Sequence, residues 1–137
     1  MAVINELIRS EANGTISFGN YLLDTKSKLS NFEHNGDLYK VKTFNEITKL
    51  ERNEMFVYES VPGTAVSELS LTDSGMAFSV EGVKDTQITL ELEPETEYRV
   101  DVNGTVTDGY KTNLGGKLVL SIELTEGMSA DVKIEKI

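Results

Sequence analysis

The chain has no cysteine, no tryptophan, a single histidine (His34) and two prolines in 137 residues. Without cysteine there can be no disulfide, zinc ribbon, iron–sulfur cluster or thiol nucleophile. A lone imidazole leaves no histidine pair for a metal site, which wants three or four convergent ligands, and it would have to be the base of any serine triad. Ser60, Ser67 and Ser70 lie in no G-x-S-x-G elbow, so such a triad is not expected. The first residues carry neither a basic leader nor a long apolar run, and the expected location is cytoplasmic. Positive charge is scarce too: thirteen Lys and Arg face twenty-three Asp and Glu, a formal charge of −10. That excess repels phosphate backbones and anionic lipid unless a local basic patch overcomes it, so neither nucleic acid nor a membrane surface is expected as a partner.

What is present is apolar spacing. Hydrophobic residues make up 39% of the chain without a long gap, enough to build a core in one domain of this length. In the second half the period is two. Ile88, Leu90 and Leu92 share one face against Thr89, Glu91 and Glu93. Tyr98, Val100 and Val102 repeat the pattern up to Asn103-Gly104, the dipeptide that best fits a type I′ hairpin turn, and Thr105-Val106-Thr107 follows. Leu118, Leu120, Ile122 and Leu124 form another inward row, and Val132 with Ile134 closes the chain. With Leu69–Leu71 and Met76–Val80, residues 64–137 read as about six short strands of an antiparallel β-sandwich or small barrel.

The first sixty residues are less regular. Residues 3–10 read as a short helix or an irregular arm, and Ile16-Ser17-Phe18, Tyr39-Lys40-Val41 and Met55–Tyr58 read as strands. Residues 43–50 predict a two-turn helix, with Thr43 and Glu46 as a capping box and Ile47 and Leu50 as its apolar edge. Val61-Pro62-Gly63-Thr64 is the sharpest break, since Pro lacks a donor and Gly permits positive φ. It divides the chain into a mixed N-terminal subdomain, residues 1–61, and a sandwich-like domain, residues 62–137, packed as one unit. The fold class is therefore mainly β, with a strand-plus-short-helix region in front. The two N-x-T sequons, at Asn13 and Asn103, read as turn chemistry.

No constellation carries a reaction. Glu91, Glu93, Glu95 and Glu97 alternate as a solvated acidic face, with nothing apolar beside them to raise a pKa for glycosidase chemistry. His34, within Phe32–Asp37, reads as a loop residue beside an Asn-Gly turn. Gly115-Gly116-Lys117 fails the phosphate-loop pattern, because Leu118 follows the lysine, and reads as a hairpin loop. Asp101-x-Asn103 opens like a calcium loop, but Gly104 comes two positions early. Catalytic residues, metal ligands and cofactors are thus all expected to be none. Five tyrosines are the only aromatic platforms of a size and polarity suited to a small ligand, and Tyr21 and Tyr110, nearest turns, are the candidate ligand-binding residues.

Four stretches, Ser17-Phe18-Gly19-Asn20-Tyr21, residues 36–44, residues 57–64 and residues 111–117, make the chain resemble a group of small single-domain Firmicute proteins that carry the label "endosialidase". The resemblance implies a sialidase-related hydrolase. Sialidases hold the substrate carboxylate with three arginines, and this chain has three, Arg9, Arg52 and Arg99. Leu71-x-Asp73-x-Gly75-x-x-Phe78 is similar to their Asp-box but for Leu71 and would amount to one hairpin turn. The second half also resembles β-sandwich modules appended to bacterial glycosidases, which implies a binding or packing module.

Three functional readings follow. The first is a non-catalytic structural or self-associating β-protein that joins copies of itself through edge or terminal strands, with residues 132–137 as the strand that completes its own sheet or a neighbour's. The second is a small-ligand or carbohydrate-binding module with a sugar or protein partner. The third is the hydrolase.

Overall fold

The structure is a computed structural model, and it describes residues 3–137. Alternation of apolar and polar residues produces thirteen strands: β1 (Ile8–Ser10), β2 (Ile16–Phe18), β3 (Ser27–His34), β4 (Asp37–Thr43), β5 (Thr48–Arg52), β6 (Met55–Val61), β7 (Ala65–Thr72), β8 (Gly75–Glu81), β9 (Thr86–Glu91), β10 (Glu97–Val102), β11 (Thr105–Lys111), β12 (Lys117–Ile122) and β13 (Ser129–Lys136). They form two antiparallel sheets, one ordered β1-β2-β7-β8-β13-β10-β11 and the other β12-β9-β6-β5-β4-β3. The inward rows meet in one core, with Tyr58 at its centre edge-on to Phe18 and Phe78 at 5.3 and 5.7 Å.

Among the described residues no helix forms, and residues 43–50 are the clearest correction. Thr43 ends β4, Phe44 N–H donates to Ile47 C=O in a tight turn, and Thr48 starts β5. The three-residue step from Ile47 to Leu50, helical in spacing, spans the end of a turn and the start of a strand. Thr43 caps nothing: its hydroxyl accepts from Asn20 N–H at 2.9 Å and bonds Thr48 Oγ1 at 2.8 Å. Likewise residues 3–10 hold a turn, with Leu7 N–H on Ile4 C=O, and then β1.

Both sheets mix strands from the two sides of Pro62, since β2 pairs with β7 and β6 with β9. The peptide bond before Pro62 is cis. Gly63 is needed for close approach rather than for positive φ, because a Cβ there would stand 2.0 Å from Phe44 O. Asn103 and Gly104 both take positive φ, as the I′ hairpin between β10 and β11 requires. By contrast residues 113–116 do not close a hairpin: β11 and β12 lie in different sheets, so this loop crosses the sandwich. The acidic run is no single face either, since β9 ends at Glu91 and β10 begins at Glu97 with Glu95 between them at φ 49°.

Candidate functional site

Tyr21 and Tyr110 fall at opposite ends of the seven-stranded sheet. The Tyr21 hydroxyl donates to Glu81 Oε2 at 2.8 Å, beside the last residue of β8. Burial, with the adjacent Glu81 carboxylate, pushes this phenol up to about 12. Tyr110 pairs across the ladder with Tyr98, near the start of β8, and packs partly against the core. They cannot frame one ligand. The three arginines do not converge: Arg9 bonds Glu11 at 3.1 Å, Arg99 bonds Asp108 at 2.7 Å on β11, and Arg52 ends β5 in the other sheet. The Asp73-Ser74 segment is the turn between β7 and β8.

His34 is a strand residue at the end of β3, not a loop residue, and it works as a lace. Its Nδ1 lies 2.7 Å from Ser10 Oγ on β1, and its Nε2 lies 3.0 Å from Gly14 C=O. Both ring nitrogens are engaged, and Asn35 Nδ2 also lies 3.1 Å from Nε2. These bonds tie β1, the edge of one sheet, to β3, the edge of the other. That side of the sandwich is closed.

The opposite side is open. There β11 and β12 are the outer strands, and the four sheet edges differ in how well they are protected. β1 has three residues. β3 is broken by a bulge between Leu29 and Phe32, with Asn31 at φ 60°. β11 is broken opposite the step from Tyr98 to Val100, with Gly109 at φ 90°. β12 alone runs six residues in unbroken register with β9, from Lys117 opposite Glu91 to Ile122 opposite Thr86. Leu118, Leu120 and Ile122 face the core, and Val119, 48% exposed, and Ser121 face out. Among the described residues, the backbone from Val119 to Ile122 makes no bond beyond the β9 ladder. Short strands, bulges and charge are the devices that block edge pairing, and β12 between Lys117 and Glu123 has none of them.

A second feature is a cleft of about 540 Å³ between the sheets, at the end where the β5–β6 and β7–β8 turns and the β9–β10 loop meet. Phe56, Met76 and Leu92 line its apolar part and Arg52 and Asp73 its rim. Tyr98 lies at its base, 1% exposed, its hydroxyl accepting from Glu93 N–H at 3.2 Å. The two glutamates there are engaged, Glu93 with Lys136 at 2.7 Å and Glu91 with Lys117. The size suits one small ligand. Among the described residues no helix is long and apolar enough to cross a membrane. No family model matches the chain, and neither a curated protein nor a solved structure matches it.

Proposed function

We propose that the chain is a non-catalytic, self-associating β-protein whose copies join edge to edge through β12. The observation that carries this reading is the contrast among the four edges, of which β12 alone is long, regular and uncharged along its middle. The terminal strand is not the means of assembly. β13 lies between β8 and β10 and uses both of its edges within its own sheet.

Among the registers of an antiparallel pair of β12 strands that keep both faces, one also pairs opposite charges at its ends. With Leu120 opposite Leu120 of the second copy, Leu118 meets Ile122 and Val119 meets Ser121. Lys117 then faces the exposed Glu123. Apolar residues stay on the core side and opposite charges meet at each end, so the interface is self-complementary and closes as a two-fold dimer. Amide hydrogen exchange tests it: exchange from β12 slows as protein concentration rises, while exchange from the bulged β11 does not change. Equal β12 exchange at all concentrations would remove the proposal.

The end cleft favours a second reading, a small-ligand or carbohydrate-binding module, with Phe56, Met76 and Leu92 as its apolar lining rather than Tyr21 and Tyr110 as its platforms. Saturable binding of a sugar by the monomer, lost on Asp73→Ala, would support it. Sugar binding unaffected by that substitution would place the ligand elsewhere.

A further inference from the structure

The outer face of the six-stranded sheet gathers what the composition hides. Lys28, Lys42 and Lys49 stand directly opposite one another on β3, β4 and β5. Lys40 lies two residues before Lys42 on the same face, and Lys26 precedes β3. Five of the seven basic residues in the first sixty therefore sit on one face of a chain with net charge −10. Neighbouring strands are about 4.8 Å apart and same-face residues along a strand about 6.8 Å, so the ammonium groups form a small grid. Among the described residues only Lys49 in this set has an ion pair, with Glu51 at 3.6 Å. A small depression lined by Lys40, Lys42, Lys49 and Glu51 lies in the middle.

Like charges directly opposite are destabilising in a sheet, and here two such pairs are adjacent. The Lys42 ammonium is held below the usual lysine range, first by partial burial and then by the charges of Lys28, Lys26, Lys49 and Lys40. The array is flanked by two half-buried phenylalanines. Lys26 lies over the Phe44 ring at 5.6 Å, and Lys49 and Lys117 lie over Phe56 at 5.8 and 4.6 Å. An anion that drew Lys26 or Lys49 away would uncover a ring beside it. Cations that track a phosphate backbone, next to aromatic faces that accept bases, are the two parts of a sequence-tolerant single-strand site. Two carboxylates share this face, Glu51 opposite Lys40 and Glu59 opposite Lys49, so the five lysines keep an excess of positive charge over them. The acidic groups of the other sheet lie about 10 Å away, one screening length at physiological salt.

We propose that this lysine face is a docking surface for single-stranded nucleic acid, its phosphates on the Lys28–Lys42–Lys49 row and its bases on Phe44 and Phe56. The composition argument against nucleic acid holds only where no local basic patch exists, and this face is one.

The test is fluorescence anisotropy of a labelled oligothymidylate of about twelve nucleotides with the full chain. Binding is expected at 50 mM salt and should weaken about twenty-fold by 200 mM, the slope for three neutralised phosphates on a single strand. The pair Lys42→Glu and Lys49→Glu should weaken it at least ten-fold, and Phe56→Ala should weaken it several-fold. Lys133→Glu, on the other sheet, should leave it unchanged. Lys42→Met with Lys49→Met repeats the loss without added negative charge. No binding at 50 mM salt, or binding indifferent to the Lys42 and Lys49 substitutions, would overturn the proposal. So would capture by phosphatidylserine vesicles without oligonucleotide binding, or equal competition by dextran sulfate with no effect of Phe56→Ala, since those results mark a lipid or a general anion surface.

Discussion

Replacing Lys42 by glutamate should stabilise this fold. Lys42 stands opposite Lys28 on one side and Lys49 on the other, so the substitution turns two cross-strand repulsions into two attractions. Cross-strand charge pairs contribute roughly 0.2–1 kcal/mol each, and partial exposure of these side chains puts the gain toward the lower part of that range. A total of about 1 kcal/mol corresponds to a rise in Tm of about 3–4 °C for a domain of this size. Lysine and glutamate are similarly disfavoured in strands, so propensity does not mask the effect. Pairwise charge also predicts its dependence on salt: the gain should shrink strongly at 1 M, where the screening length is about 3 Å. Thermal unfolding followed by circular dichroism at 50 mM and 1 M salt, with Lys42→Met as the neutral reference, measures both. Partial burial of the Lys42 ammonium, together with the same repulsion, fixes a pH trend. A lysine whose pKa is lowered in the folded state binds fewer protons there than when unfolded, so Lys42 costs stability at neutral pH. The cost is relieved as pH rises from its lowered value toward 10.5. A Lys42→Glu variant that melts lower than wild type at 50 mM salt, or whose gain ignores salt, would refute the reasoning.

Two further predictions concern buried polar groups. Thr48 Oγ1 bonds Thr43 Oγ1 at 2.8 Å, donates to Thr64 C=O at 2.8 Å and accepts from Thr64 N–H at 3.0 Å, all without solvent. Thr48→Val should therefore cost about 1–3 kcal/mol, read as a lower Tm, with Thr48→Ser close to wild type. Tyr21 titrates at about 12, so its contribution is complete below pH 10 and is lost as pH rises from 10 to about 12. Phenolate absorbance at 295 nm should show one tyrosine titrating earlier in Glu81→Gln than in wild type.

Where the sequence pattern is legible, it is because strands keep strict alternation. β9, β10 and β12 show it residue by residue, and the Asn103-Gly104 turn carries its own conformational signature. Where it is not, a bulge has broken the period. In β3, Leu29 and Phe32 both pack on the core although three residues apart, because the extra residue at the Asn31 bulge shifts the register. A three-residue step looks helical or irregular on paper, and for the same reason His34 reads as part of a loop. β7 has the same flaw at Glu68, φ 54°. Sheet membership is hidden as well. Nothing local tells residues 113–116 to cross between sheets rather than turn back, and nothing local tells Lys28, Lys42 and Lys49 that strand pairing will bring them together. The candidate sites are products of topology. β12 is an edge and β13 is not, yet both alternate equally well.

Mass in solution over a hundredfold concentration range, by light scattering behind size exclusion, tests the central claim most directly when wild type is run beside Val119→Lys with Ser121→Lys. Both substitutions lie on the outer face of β12 and leave Leu118, Leu120 and Ile122 in the core. Across the predicted two-fold axis they set four lysines against one another. The wild-type chain should rise from 15.1 kDa toward twice that mass with concentration, and the double variant should stay at 15.1 kDa throughout. A wild-type chain that remains monomeric at every concentration, or a variant that associates as readily as wild type, would contradict assembly through β12.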